Sequence, residues 1–599
     1  MRGLESPIFG MRTPFTQGAD ADADAYAVAG SSPKLVADFD GATEYYRKAG
    51  SATTFDGLFT HTGASLRTMV DSDGALTWAP HNLIPYSDDA NSWPKYLVTV
   101  VVDQATGPDG ASADLIYPTS THIDVCIYQG SLPAVKKKHS VVAKAAGKDW
   151  LCILQEDTTG GGVWFNLSTG VQGTETANWT GTMTDLGDGW YLCTAEVSTG
   201  FNQYTCLSPV DGDASTTSTA NGTDGIYVVN MHCLRNDLGG MVNVPSDART
   251  LAALSSYVPT TSAAVHLPRR GHHIYNGSTW ANKGIFLESE ARTNLVASSD
   301  DMSGWTTSTL TVTKDQTGAD GIANSANRLT ATGANSTVLL TVTAASNPHV
   351  FGALVKRVTG TGVIEVTVDG GTTWDAVTSD INTSVYTQVC TDAQTVTNPQ
   401  IGFRIVTSGD EIAVQINQLE QTSGKISSPI PTSGSTVTRA AETLTVPAAN
   451  LPYDATNMSI AMKGTTTYAD EGAGAQQTWM RWRADGSNYL SLDLDTDAAA
   501  TGEVNANQKA ATAPLDTVVA GAEYSPGINV AFNIASRNTA GAINVAKDGT
   551  AATEDTTPTS LPDLSATDLD LGYDFMGTIE QFLMWDADLG DAGIEEATS

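Results

Sequence analysis

Asn82-Leu83-Ile84-Pro85-Tyr86-Ser87-Asp88-Asp89-Ala90-Asn91-Ser92-Trp93 returns 212 positions later as Asn294-Leu295-Val296-Ala297-Ser298-Ser299-Asp300-Asp301-Met302-Ser303-Gly304-Trp305. Asn, Leu, Ser, Asp, Asp and Trp keep identical spacing, and such self-similarity fixes the architecture before any single segment is read. Each head has a tail. Ser255-Ser256-Tyr257-Val258-Pro259-Thr260 with Val265 closes the first copy, and Ser427-Ser428-Pro429-Ile430-Pro431-Thr432 with Val437 closes the second. The first copy spans 183 positions from Asn82 to Val265 and the second 143 from Asn294 to Val437. The surplus is expected in loops, which tolerate insertion cheaply. Ahead of the heads, Asp73-Gly74-Ala75-Leu76-Thr77-Trp78 and Asn276-Gly277-Ser278-Thr279-Trp280 read as hairpin connectors.

Between head and tail the period is two. In Val363-Ile364-Glu365-Val366-Thr367-Val368, Ile364, Val366 and Val368 share one face, and Asp369-Gly370-Gly371 then turns the chain. Turn signals recur before Val163-Trp164-Phe165-Asn166-Leu167 and, as Asp188-Gly189, before Trp190-Tyr191-Leu192-Cys193. Short strands at this spacing predict an all-β chain of tandem antiparallel β-sandwich (jelly-roll) domains with an extended N-terminal anchoring segment. A helix is expected over 246–254, with Ser246 as N-cap, and a short terminal helix over 589–597. The expected divisions are an N-terminal segment 1–34, a β-hairpin connector 35–81, a sandwich 82–265, a connector 266–293, a second sandwich 294–444 and a third 445–599.

Length and charge narrow the function. A chain of 599 residues exceeds one core and calls for three or four domains of about 150 residues. Against 31 Lys and Arg stand 66 Asp and Glu, a net charge of −35, and a surface so acidic repels nucleic acid and anionic membrane. Nowhere do about 18 apolar residues run together, so no membrane insertion is expected. Pro7, Arg12, Pro14 and the Asp20/Asp22/Asp24 run break every candidate leader, so no cleaved signal is expected. Cys126, Cys152, Cys193, Cys206, Cys233 and Cys390 have no C-x-x-C spacing and read as buried thiols of a protein assembled in a reducing cytosol.

Trp164-Phe165-Asn166-Leu167-Ser168-Thr169-Gly170 with Leu186-Gly187-Asp188-Gly189-Trp190-Tyr191-Leu192-Cys193 resembles the middle of the jelly-roll, carbohydrate-binding-module-like domains common in phage tail and virion proteins. The run from Gln418-Leu419-Glu420 to Thr438-Arg439-Ala440-Ala441 is similar to the way those domains end. Residues 445–599, with Gly577-Thr578-Ile579 in the last strand, resemble concanavalin-like, laminin-G-type lectin domains. The resemblance implies a structural virion protein of a bacteriophage, a tail-fibre or spike adhesin for host surface glycan, assembled in the host cytoplasm as a homo-oligomer, most simply a trimer. Its alternatives are a head fibre or capsid-decoration protein and a secreted glycan-active enzyme with accessory modules. A bacterial surface adhesin is disfavoured by the missing leader.

No H-E-x-x-H, G-x-S-x-G or P-loop is present, so the chain reads as a non-enzyme. Paired carboxylates for glycoside hydrolysis leave no spacing signature. Ile8-Phe9 and Pro14-Phe15 are the candidate anchors to other virion proteins. Asp88-Asp89 and Asp300-Asp301 offer the hard oxygens of a structural Ca²⁺ site, although an Asx-type turn between the Asn and the Trp is the plainer reading. Trp93, Trp305 and Trp190 read as core. His272-His273 beside Arg269-Arg270 is expected to contact a neighbouring subunit. In Thr478-Trp479-Met480-Arg481-Trp482-Arg483, strict alternation puts Met480 and Trp482 inside and Trp479, Arg481 and Arg483 outside, a surface fit for an acidic polysaccharide. The plainer alternative pairs the arginines with Asp493 or Asp495 and packs Trp479 against a neighbouring domain.

Overall fold

The computed structural model describes residues 23–41, 43–154, 161–198, 204–243, 254, 256–521 and 524–599. Antiparallel strands dominate, as the period predicts, and the longest helix among these residues, Gly590–Ala597, falls where the terminal helix was expected. No helix among the described residues is long and apolar enough to cross a membrane. Ile8, Phe9, Pro14, Phe15 and the expected N-cap Ser246 lie outside the described residues. The described part of the expected anchoring segment, 23–34, is not a free extension: Val28 shares a core with Val36, Trp585 and Ile594, and the Trp585 indole donates to the Ser31 carbonyl (3.0 Å).

The two repeats are the same sandwich. One sheet of the first runs Trp179–Gly187, Trp190–Val197, Lys137–Ala146, Gly225–Arg235, Ser112–Pro118, Val98–Thr106; the second repeat matches it with Thr387–Cys390, Asn347–Thr359, Glu411–Gln421, Ala326–Ala331, Leu310–Gln316. The opposing sheet runs Val171–Glu175, Gly162–Asn166, Trp150–Leu154, Thr205–Val210, Cys126–Gln129, Lys95–Tyr96. Its counterpart runs Asp375–Ala376, Ile364–Thr367, Gln400–Ile405, Ser336–Thr341, Thr306–Ser308. The surplus length of the first copy is therefore not confined to loops. Val171–Glu175 and Trp179–Gly187 add one edge strand to each of its sheets.

The repeated head and tail form one buried hydrogen-bond device. Asn82 donates to the carbonyls of Met231 (3.2 Å) and Val258 (2.9 Å) and accepts from the amides of Ile84 (3.2 Å) and Cys233 (3.0 Å). Asn294 does the same with Asn417 (3.1 Å), Ile430 (2.9 Å), Val296 (3.0 Å) and Leu419 (3.1 Å). Ser87 and Thr260 bond reciprocally, as do Ser299 and Thr432. A fully buried side chain with all four bonds made locks head, tail and the long central strand together. Trp93 and Trp305 sit in the two cores, as expected.

The third sandwich departs from its expected boundaries. Its nine-stranded sheet includes Leu35–Asp38, paired with Met576–Trp585, and Ile285–Glu288, paired with the same strand; its seven-stranded sheet includes Thr60–Gly63, paired with Glu442–Val446. Leu35, Phe39, Phe55, Leu58, Ile285 and Leu287 belong to one core with Trp479, Trp482, Phe532 and Phe582. The segments expected as connectors, 35–81 and 266–293, thus contribute strands to this sandwich, and the repeats are insertions within it. The physical reason is burial: Leu35, Val36 and Ala37 are fully inaccessible, and the C-terminal sheet offers them an apolar face. The two connector hairpins form as expected and pack together, since a Cβ on Gly74 would lie 2.0 Å from the Trp280 ring.

Where the modules meet, charges are buried. Arg67 pairs with Glu442 (2.7 Å), Arg269 with both Glu442 and Glu288 (2.7 Å to the latter), and Arg439 with Glu288 (3.2 Å). Burial alone would raise the Glu442 carboxyl, but Arg269 and Arg67 hold it far below the usual range. Arg270 pairs with Glu44 (2.6 Å), and His272 accepts from the Val70 amide (3.2 Å). The expectation that this cluster faces a neighbouring subunit is corrected for Arg269, Arg270 and His272: these partners lie within the chain.

Candidate functional site

The opposing sheet of the first repeat turns Ile127, Leu151, Ile153 and Leu207 inward. Alternation then puts Tyr96, Cys126, Tyr128, Cys152, Leu154, Cys206 and Val210 on its outer face, joined by Trp150 and Trp164. An outer sandwich face is ordinarily polar. The second repeat obeys that rule: the same ladder positions that hold Tyr96, Cys126, Ser208, Cys152 and Trp164 hold Ser308, Thr337, Arg404, Glu365 and Ala376. There Arg404 pairs with Glu365 and lies over the Trp374 ring at 4.5 Å.

Part of the apolar face in the first repeat is covered. The Trp164 indole donates to the Ser215 carbonyl (2.6 Å), and Cys152 and Cys206 are fully buried, with the Cys152 thiol pushed far up by desolvation. Five of the six cysteines are buried, as expected. What remains in water is aromatic: Tyr96 is 46% exposed and Tyr204 36%, with Tyr128 and Trp150 half-buried between them. Tyr128 meets Tyr204 edge to face at 6.4 Å, and Tyr96 meets His122 at 5.9 Å. Gly130 makes the room, because a Cβ there would lie 2.6 Å from the Tyr204 ring. Rigid, half-wet rings of this kind stack on the C–H faces of pyranose sugars. Sequence reasoning missed them. The available signal was Trp150-Leu151-Cys152-Ile153-Leu154, an unbroken apolar run where the twin alternates as Ile364-Glu365-Val366-Thr367.

The C-terminal candidates separate. Trp479 is fully buried, stacked on Phe532 at 4.7 Å and edge-on to Tyr524 at 6.2 Å. A β-bulge between Thr478 and Met480 turns it into the core beside Met480 and Trp482, so the expected surface platform of Trp479 with two arginines does not form. Arg481 remains outside, paired with Asp570 (3.0 Å) and lying under the Tyr573 ring, while Arg483 donates to the Asp485 carbonyl (3.1 Å). The partner of Arg481 is thus Asp570 on the neighbouring strand, in place of Asp493 or Asp495.

The paired aspartates cap backbone. Asp88 accepts from the amide of Asn230 (3.2 Å) and the Tyr257 hydroxyl (2.7 Å), and Asp300 from the amide of Ile416 (2.8 Å). Asn230 and Ile416 are the left-handed bulge residues of the long central strands, at φ 53° and 48°. Asp89 caps the turn Ala90–Ser92, and Asp301 accepts from Ser303. Among the described residues no group of three or more His, Cys, Asp or Glu is placed to hold a metal ion.

No known protein family matches the chain, and no curated protein matches it. Among solved structures, the botulinum neurotoxin serotype D binding domain is 13% identical over 26% of this chain and 38% of that one, with a TM-score of 0.20. The Ruminococcus gnavus IT-sialidase CBM40 is 15% identical over 24% of this chain and 84% of that one, also with a TM-score of 0.20. The match spans well under half of the toxin domain, and the sites here stand on their own geometry.

Proposed function

We propose that this protein is a glycan-binding adhesin whose first repeat stacks neutral sugar rings on Tyr96, Tyr128 and Tyr204. The observation that carries the reading is the exposure of Tyr96 and Tyr204, with the half-buried Tyr128 beside them, where the twin sandwich carries Ser308, Leu339 and Gln400. A net charge of −35 favours neutral over acidic sugars. The role assigned to this face is binding, for which its rings are suited. Its place, on this reading, is a bacteriophage virion, with the segment ahead of residue 23 as anchor and the sandwiches outermost in a trimeric fibre or spike; tandem sandwich modules support that setting. Full-length protein on an array of neutral and acidic glycans tests the function. Binding to neutral glycans that falls at least tenfold in Tyr96→Ala and Tyr204→Ala is expected. Binding confined to acidic glycans, or indifferent to both substitutions, overturns it.

A further inference from the structure

The three tyrosines of the first repeat lie on a diagonal that the strand register fixes. Tyr96 stands beside Cys126; Tyr128, two residues further along that central strand, stands beside Cys206. Tyr204 precedes Thr205, the partner of Gln129, and so stands beside Gly130, in agreement with the 2.6 Å between a Gly130 Cβ and its ring. Each step crosses one strand, about 4.8 Å, and advances two residues, about 6.8 Å, so the row climbs roughly 8 Å per ring and roughly 17 Å from Tyr96 to Tyr204. Off the diagonal the face is covered: Cys152, Cys206 and Trp164 are buried, with the Trp164 indole donating to the Ser215 carbonyl. The aromatic surface in water is therefore a band, prolonged past Tyr96 by the exposed His122 ring at 5.9 Å and by the exposed Ile123. Along the same diagonal the twin carries Ser308, Leu339 and Gln400.

We infer that this band holds the interior of a linear neutral polysaccharide, several consecutive sugars of a chain that turns from one ring to the next. One pyranose covers one tyrosine, and rings this far apart are engaged together only by linked sugars, whose later contacts are made at the high effective concentration that the linkage provides. A terminal sugar is recognised by a pocket that encloses it, whereas a row on a sheet face meets a chain side-on. The shape follows from the ring planes. Tyr128 and Tyr204 differ by 63°, so a flat ribbon seated on one ring meets the next edge-on, while a chain that rotates at each linkage presents a sugar face to both. Tyr96 and Tyr204 already stand in water, so the chain reaches them without displacing a side chain. The inference rests on the reading that this face binds neutral sugar, and adds the length and shape of the ligand.

The test is isothermal titration of the full-length protein with maltose and maltopentaose, whose α-linked chain turns at each sugar, and with cellopentaose, whose β-linked chain is a flat ribbon. Affinity for maltopentaose is expected to exceed that for maltose and that for cellopentaose at least tenfold each. In Tyr96→Ala or Tyr204→Ala, both changes of exposed side chains, maltopentaose should weaken at least tenfold at an unchanged melting temperature. Maltose should weaken less than threefold, because a disaccharide still has two rings to choose from. Maltose bound as tightly as maltopentaose, cellopentaose bound as tightly as maltopentaose, or failure of both pentasaccharides on a protein that binds other neutral glycans on the array each overturns this inference and leaves the reading beneath it standing. A protein that binds no neutral glycan on the array loses both.

Discussion

The two repeats share every structural strand that matters to their cores, yet their outer faces have opposite chemistry. Asn82 and Asn294 make the same four bonds, and Trp93 and Trp305 fill corresponding places in the cores. One face outward, Tyr96, Cys126, Cys152 and Trp164 oppose Ser308, Thr337, Glu365 and Ala376. The period-two strand explains how this is possible, since inward residues set the fold while outward ones are free to change. On the proposed reading, the divergent outer face of the first repeat is where sugar binding was added to the shared scaffold. The same comparison shows a hidden asymmetry in ionisable groups, because His81, His139 and His232 are buried at the first repeat and the second contains only His349.

Acid should separate the twins most strongly. Burial holds His139 down to about 3 and His232 to about 4, and His81 to about 3 despite its bond to the Ala79 carbonyl. Below the unfolded value near 6.5 the unfolded chain takes up protons that the native repeat refuses. Stability is therefore full above pH 6.5 and falls as pH drops from there toward 4, by on the order of 2 kcal/mol per histidine at pH 5. In the second repeat, burial raises Asp300 to about 6. Its native form binds the proton first, so between about pH 6 and 3.8 acidification adds stability at that group, opposing the loss at His349, the one histidine of this repeat, which burial holds down. Hydrogen exchange at pH 5 should show the strands of the first repeat opening before those of the second; simultaneous opening breaks the comparison.

Next in size is the shared device. Asn82→Ala and Asn294→Ala each strand four buried backbone groups and should each cost about 3 kcal/mol or more, equally within error, read as loss of melting temperature. A twofold difference between them would mean the skeletons are not equivalent. Smaller still is the bulge. Asn230 accepts a left-handed backbone readily, whereas the β-branched Ile416 does not. Asp300→Ala, which releases the Ile416 amide, should cost about 1–2 kcal/mol, and more than Asp88→Ala, in urea unfolding. Smallest is Tyr96→Ser, the exchange of an exposed ring for the twin's residue, expected to change stability by less than about 0.5 kcal/mol.

Legibility in the sequence followed the distance over which information acts. The head and tail motifs, the sandwich class, the hairpins and the terminal helix are local patterns and were readable. The pairing of Leu35–Asp38 with Met576–Trp585 was not, because a four-residue apolar strand does not name a partner at the other end of the chain. Trp479 misled for a different reason: one extra residue at a bulge inverts the faces that alternation assigns. Arg481 was found but its partner was missed, since Asp570 comes from a strand 89 positions away. The tyrosine face lay hidden because Tyr96 and Tyr128 come from two strands and Tyr204 from the residue just ahead of a third, and only the folded sheet gathers them.

The central claim is that the outer face of the first repeat, and not its skeleton, binds sugar. Replacing its rings by the residues of the twin, as Tyr96→Ser, Tyr128→Leu and Tyr204→Gln together, leaves the skeleton intact. Isothermal titration of this variant against the tightest neutral glycan found on the array should give at least a hundredfold weaker affinity at an unchanged melting temperature, and affinity equal to that of the unaltered protein would contradict the account.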